Sequence, residues 1–133
     1  MSSYVADTVA LARYFEDVLP RSANRAFAQA EQGNGTIVIP EIVLAEFSYI
    51  ALRGRLRSPV AQANVAETVN GILDSPMFEV VSLDRKGWNR FFDLEISELH
   101  DRMIVAEALS RGVPLLSSDE EMTRAPGLEV VWR

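Results

Sequence analysis

The hydrophobic positions of this chain alternate between short β-rich runs and longer stretches with helical spacing. The predicted strands are "SYVA", "TIVI", "FEVVSL", "VPLLSS" and "LEVVW". Helices are predicted over about 8–18, 21–32, 84–95 and 100–112, and "DEEM" forms a short helical turn. Pro40 opens another helix that Gly54 interrupts or ends, and "SPVAQANVAETVNGILDS" forms one amphipathic helix capped by Ser58. Strands alternating with helices predict an α/β protein, a three-layer α/β/α domain with a central, mainly parallel sheet.

The helix "PEIVLAEFSYI" carries an acid on the face that should enter the core. Val43, Phe47 and Ile50 share one side of this helix, and Glu46 follows Val43 by three positions on the same side. A buried charge is costly unless it is paired, protonated or bound to a metal. Taken alone, the segment favours a position for Glu46 at the edge of this apolar face, where its carboxylate reaches water or an arginine.

Three more acids lie where elements begin or end. Asp7 directly follows "SYVA", Asp119 follows "PLLSS", and Asp101 begins an apolar helical stripe. Sites in open parallel sheets form outside the carboxyl ends of the strands. Each acid also has a structural explanation. Asp7 could cap its helix, Ser118 and Glu121 have capping-box spacing that leaves Asp119 in a first turn, and Asp101 lies in or before a first turn.

Taken together, the four acids could converge on one negatively charged pocket. The chain has no cysteine and a single histidine, so the available ligands are oxygen atoms, which suit Mg²⁺ or Mn²⁺. Divalent ions held by carboxylates activate water and stabilise the charge that develops in phosphodiester cleavage. The hypothesis is therefore that Glu46 faces inward because it helps to hold a metal.

Composition narrows the class of protein. With 133 residues, 48% hydrophobic and 24% charged, the chain is expected to form one soluble domain over residues 1–133. No apolar run approaches the length of a membrane span, and "MSSYVADTV" does not resemble a signal peptide. The absence of cysteine excludes disulfides, thiolate zinc sites and cysteine nucleophiles, and it is compatible with a reducing cytoplasm.

The net charge of −6 is unlike that of a general nucleic-acid binder, although a cluster of catalytic carboxylates would inflate the acidic count. Some positive charge is clustered at Arg53, Arg55 and Arg57, and Arg13 lies near other arginines in sequence. Such a group is more often a solvated face than a phosphate-contacting rim.

Four motifs in order give the chain a family resemblance. They are "VADTVALARYF", "IPEIVLAEF", "ELHDRMIVAEAL" and "GVPLLSSDEEM". In these features the sequence resembles the PIN-domain ribonucleases, most closely the short VapC-type toxins of prokaryotic toxin–antitoxin pairs. The resemblance implies a metal-dependent endoribonuclease, usually a homodimer, neutralised by a small cognate antitoxin. It also implies roles for particular residues: Asp7, Glu46, Asp101 and Asp119 as metal-binding catalytic acids, with Thr8 and Ser117 in support.

Two other functions remain open at this point. A PIN-like domain that keeps its fold as a binding or assembly module, without turnover, would bind metal and cleave no RNA. A metal-dependent phosphatase on a similar scaffold is the third reading, although the closely spaced DxD of one common phosphatase class is missing. The lone His100 is expected to have a local role at a helix start or on the surface.

Overall fold

A parallel sheet forms the centre of the molecule. The computed structural model describes residues 2–133 and contains a five-stranded sheet in the order β3-β2-β1-β4-β5, with all neighbouring strands parallel. The strands are β1 (Ser2–Ala6), β2 (Gly35–Pro40), β3 (Phe78–Val81), β4 (Leu115–Leu116) and β5 (Val130–Val131). Helices flank this sheet, which confirms the predicted three-layer α/β/α class.

The helices occupy the connections between strands, as parallel pairing requires. They are α1 (Thr8–Glu16), α2 (Arg21–Glu31), α3 (Glu41–Leu52), α4 (Pro59–Ala63), α5 (Val65–Asp74), α6 (Arg85–Asp93), α7 (Leu99–Arg111) and α8 (Glu120–Thr123). Gly112 ends α7 in the left-handed conformation (φ 66°), the cap that the sequence predicts. Within residues 2–133, no helix combines the length and apolar character needed to cross a membrane.

The core lies on both faces of the central strands. The inner strands β1, β2 and β4 contribute Val5, Ile37 and Leu115, all without solvent exposure. Phe27 and Phe47, on α2 and α3, are equally buried. Because β1 and β4 are neighbours in the middle of this core, the residues that follow them emerge side by side at one edge of the sheet.

Local predictions are wrong at one helix and at the ends of three strands. The single helix predicted over 58–75 is two helices, because Asn64 leaves helical geometry (φ −149°, ψ 89°). The Asn64 side chain accepts a hydrogen bond from the Glu67 amide at 3.0 Å and begins α5, a competition that favours asparagine at caps over helix interiors. Three strands are also shorter than the predicted "FEVVSL", "VPLLSS" and "LEVVW", since β3 ends at Val81 and only Leu115–Leu116 and Val130–Val131 form β4 and β5.

Candidate active site

A cleft of about 330 Å³ opens where β1 and β4 end, and it contains all four acids singled out from the sequence. Its lining consists of Asp7, Thr8, Val9, Glu46, Asp101, Ile104, Ser118, Asp119 and Met122. Four different elements bring these side chains together: the ends of β1 and β4, the middle of α3 and the first turn of α7. The predicted convergence on one pocket is therefore a feature of the structure.

Asp7 is the most deeply placed of the four acids. It caps α1, with Oδ1 accepting a hydrogen bond from the Ala10 amide at 2.8 Å, and only 3% of the residue is exposed. Burial raises the pKa of Asp7 to about 6, against the opposing effect of hydrogen bonds from the Ser117 hydroxyl and the Ala10 amide. Nearby Asp119 and Glu46 raise the pKa further. Capping thus accounts for one oxygen of Asp7 but leaves a buried charge surrounded by other acids.

Glu46 is half-buried in the middle of α3 and is held at both oxygens. Oε1 accepts a hydrogen bond from Thr8 Oγ1 at 2.7 Å, and Oε2 lies 3.1 Å from His100 Nδ1. The side chain therefore faces the cleft, and the arginine partner considered from the sequence is not among these contacts. Val43 and Phe47, beside Glu46 on α3, are fully buried, so the apolar stripe is real and the acid interrupts it.

Asp101 is the third residue of α7, and the capping role at that helix start belongs to Glu98. The Glu98 carboxylate accepts a hydrogen bond from the Asp101 amide at 2.7 Å. Partial burial raises the pKa of Asp101 to about 6, and the nearby acids Glu98, Asp119 and Glu46 add to the effect. The side chain of Asp101 is thus available to the cleft.

Asp119 caps α8 itself, so the capping box expected from Ser118 is wrong. Oδ1 of Asp119 accepts hydrogen bonds from the amides of Glu121 (2.9 Å) and Met122 (3.0 Å). Ser117 is 1% exposed, and its hydroxyl accepts a hydrogen bond from the Asp119 amide at 3.0 Å while it also bonds the Asp7 carboxylate. Ser117 therefore couples the two strand-end acids.

His100 contacts Glu46, which was not predicted from the sequence. Its Nδ1 lies between Glu46 Oε2 at 3.1 Å and Glu98 Oε1 at 3.2 Å, and 40% of its side chain is exposed. The only signal in the sequence is its position next to Asp101, because the partner Glu46 belongs to a distant helix.

The donor set suits a hard divalent cation in atom type and in charge. Every candidate ligand is a carboxylate oxygen, and the pKa values of Asp7 and Asp101 are raised first by burial and then by the neighbouring acids. As the side chains stand, no three His, Asp or Glu residues within 2–133 are grouped closely enough to hold one ion. Binding of a metal would have to draw the carboxylates closer together.

The four arginines considered for RNA binding do not line the cleft. Arg13 pairs with Glu16 at 3.2 Å, and the Arg57 amide donates to the other oxygen of Glu16 at 2.8 Å. Glu16 is the last residue of α1, at the opposite end of that helix from the cleft. Arg53 donates to the Tyr49 hydroxyl at 2.9 Å, and Arg55 is exposed. Their contact with RNA stays a prediction.

Comparison with solved structures gives the same fold several times. VapBC2 from Rickettsia felis, bound to a DNA fragment from its promoter, superposes with a TM-score of 0.71 at 21% identity over 96% of each chain. DNA-bound VapBC from Salmonella typhimurium gives 0.69 at 20% identity over 98% of this chain and 97% of that one. VapC20 from Mycobacterium tuberculosis, a toxin that cleaves the sarcin–ricin loop, gives 0.62 at 16% identity over 90% and 92%.

Sequence comparison identifies the family. No curated protein is similar to the chain by sequence. The family model of the PIN domain, however, matches residues 4–128. This match spans most of the chain, and it includes all four cleft acids and both supporting hydroxyls. The chain therefore belongs to the PIN-domain family.

Proposed function

We propose that this protein is a metal-dependent endoribonuclease that hydrolyses RNA phosphodiester bonds as the toxin of a toxin–antitoxin pair. The observation that carries the proposal is the cleft, where four carboxylates meet and burial and mutual repulsion raise the pKa of Asp7 and Asp101 to about 6. Acids arranged in this way are unfavourable for the folded chain alone and favourable for a cation. Membership of the PIN family supports the nuclease assignment.

The residues divide into ligands and supports. Asp7, Glu46, Asp101 and Asp119 would hold Mg²⁺ or Mn²⁺, which when bound makes water more acidic and offsets charge on the phosphate. Thr8 orients Glu46, and Ser117 holds Asp7 against the start of the Asp119 turn. In the hydrolysis, the water oxygen bonds to phosphorus and the P–O3′ bond breaks, which leaves a 5′-phosphate and a 3′-hydroxyl. Arg13, Arg53, Arg55 and Arg57 would attract the RNA backbone from outside the cleft.

The partners follow from the same assignment. The similar chains from Rickettsia felis and Salmonella typhimurium were solved as VapBC complexes, which supports a small cognate antitoxin for this chain. A homodimer is supported by exposed apolar side chains on two helices: Tyr49 and Leu52 on α3, and Trp88 and Phe92 on α6. The cytoplasm, where RNA is available, is the proposed location.

Cleavage of labelled total RNA by the purified, antitoxin-free protein tests the proposal. Reactions contain Mg²⁺, Mn²⁺ or EDTA, and Asp7→Asn is compared with Asp93→Asn, which removes the same charge at an exposed position at the end of α6. Discrete fragments are expected with either metal for the parent and Asp93→Asn, and none with EDTA or with Asp7→Asn. Mn²⁺ binding without cleavage of any RNA would instead favour the binding or assembly module.

A further inference from the structure

The carboxylate of Glu46 is held from two sides by residues on two other helices. Thr8, the first residue of α1, donates to Oε1 at 2.7 Å. His100, the second residue of α7, places Nδ1 3.1 Å from Oε2. Thr8 follows the catalytic candidate Asp7, and His100 precedes Asp101, so each contact comes from a neighbour of another cleft acid.

We propose that His100 is a positioning residue that works with Thr8 to fix the direction of the Glu46 carboxylate for metal binding. This inference rests on the proposed function. Glu46 reaches the cleft from the middle of α3 with 32% of its side chain exposed, so without these contacts it would sample several rotamers. Groups that orient metal-binding side chains contribute strongly to metal affinity, which gives the contact a functional meaning.

The ring nitrogen that contacts Glu46 is Nδ1 rather than Nε2. Nδ1 lies between two carboxylate oxygens, Glu46 Oε2 at 3.1 Å and Glu98 Oε1 at 3.2 Å, which only accept hydrogen bonds. The proposed positioning role therefore requires a proton on Nδ1. Glu98 is fixed in turn, because its other oxygen accepts from the Asp101 amide at 2.7 Å, so the imidazole is held between the start of α7 and Glu46.

Two amide substitutions separate the two ring nitrogens. The side-chain nitrogen of His100→Asn stands as many bonds from the backbone as Nδ1, whereas that of His100→Gln stands as far as Nε2. Both are compared with His100→Ala. The exposed fraction of the His100 side chain, 40%, makes all three variants compatible with folding, and circular dichroism with thermal unfolding verifies this.

The first measurement is a titration of each variant with Mn²⁺ in the absence of RNA, in which electron paramagnetic resonance reports the binding. His100→Ala is expected to weaken Mn²⁺ binding about 10-fold, as removal of an orienting partner of a metal ligand does. His100→Asn should recover most of the affinity, and His100→Gln should not. Unchanged or tighter binding by His100→Ala, or recovery by Gln rather than Asn, would overturn the assignment.

RNA cleavage and metal-free spectroscopy supply two further readouts. At saturating Mn²⁺, His100→Ala should lower kcat with little change in KM, whereas a dominant rise in KM would mean that His100 contacts RNA instead. Because His100 is the only histidine, its ¹⁵N signals are unambiguous, and in the neutral imidazole the proton should reside on Nδ1. An Nδ1 without a proton would contradict the proposed contact with Glu46.

These outcomes are distinct from failure of the proposed function. If the parent protein itself binds no Mn²⁺ and cleaves no RNA, the nuclease assignment is wrong and the inference about His100 falls with it. If the parent binds and cleaves while His100→Ala behaves identically, the nuclease stands and only the positioning role is wrong.

Discussion

Two buried carboxylates in this molecule have almost the same exposure and opposite surroundings. Asp7 is 3% exposed and Glu107 is 2% exposed. Glu107 Oε2 accepts a hydrogen bond from Arg111 Nε at 2.8 Å, from one turn later on α7. Asp7 instead meets a hydroxyl, a backbone amide and two further acids.

The difference separates an acid paired within the fold from one that we propose as part of a site. Burial raises the pKa of both carboxyls. At Glu107 the cation of Arg111 opposes the rise, and Asp84 and Glu79 add less to it. At Asp7 only neutral hydrogen-bond donors oppose the rise, and Asp119 and Glu46 add to it. Glu107 carries its own counter-charge on the same helix. The groups that shift the pKa of Asp7 include no cation, which supports its proposed role as a metal ligand, and burial alone would not have distinguished the two acids.

The largest expected effect is on activity. Asp7→Asn should lower kcat/KM for RNA cleavage by at least about 100-fold, because it removes a proposed metal ligand, a larger loss than that of an orienting partner. Glu107→Gln should change kcat/KM by no more than about 3-fold, since it lies outside the acid cleft. Initial rates on one labelled RNA check both variants. Equal losses would show that the two acids are not functionally different.

The next largest effect is the loss of stability when the Glu107–Arg111 ion pair of α7 is broken. Arg111→Ala should destabilise the protein by about 2 kcal/mol in urea unfolding, because it leaves the Glu107 carboxylate buried and unpaired; the 33% exposure of Arg111 keeps the loss below that of a fully buried pair. The double variant Glu107→Gln/Arg111→Ala should recover part of this stability. If Arg111→Ala is as stable as the parent, the Glu107–Arg111 ion pair does not contribute to the stability of the fold.

Asp7→Asn should have the opposite effect on stability. A carboxyl whose pKa rises from 3.8 to about 6 on folding is charged at neutral pH at the expense of the folded state, so Asp7→Asn should stabilise the metal-free protein by about 1–3 kcal/mol at about pH 7. Asparagine keeps the cap on the Ala10 amide, whereas Asp7→Ala loses it and should gain less. Urea unfolding in EDTA measures both, and a destabilised Asp7→Asn would contradict the analysis.

The smallest effect is the pH dependence of the stability that Asp7→Asn adds. Because the pKa of Asp7 is higher in the folded state than the ordinary 3.8, the folded protein binds the extra proton, and its stability falls as the pH rises from about 4 to about 6. The stability difference between Asp7→Asn and the parent should therefore be near zero below about pH 4 and complete above about pH 6. Unfolding curves across this range test it, and a constant difference would assign the gain to packing.

Local patterns were enough to predict the parallel sheet, most of the elements that surround it and the four acids that line the cleft. Asp7 and Asp119 were identifiable because strands and the residues that end them are local features of the sequence. Glu46 and Asp101 were identifiable because helical periodicity shows which face a residue shares with apolar neighbours. The family motifs depend on the same residues, and for this reason the resemblance and the fold agree.

The tertiary structure decided which of several competing partners each polar group takes. Asp119 rather than Ser118 caps α8, Glu98 rather than Asp101 caps α7, and Asn64 divides a helix that looks continuous in sequence. The contact of His100 with Glu46 depends on how α3 packs beside α7, which no spacing along the chain encodes. Periodicity determines the face on which a side chain lies, but hydrogen-bond partners across helices depend on distances of a few tenths of an ångström that only the assembled core sets.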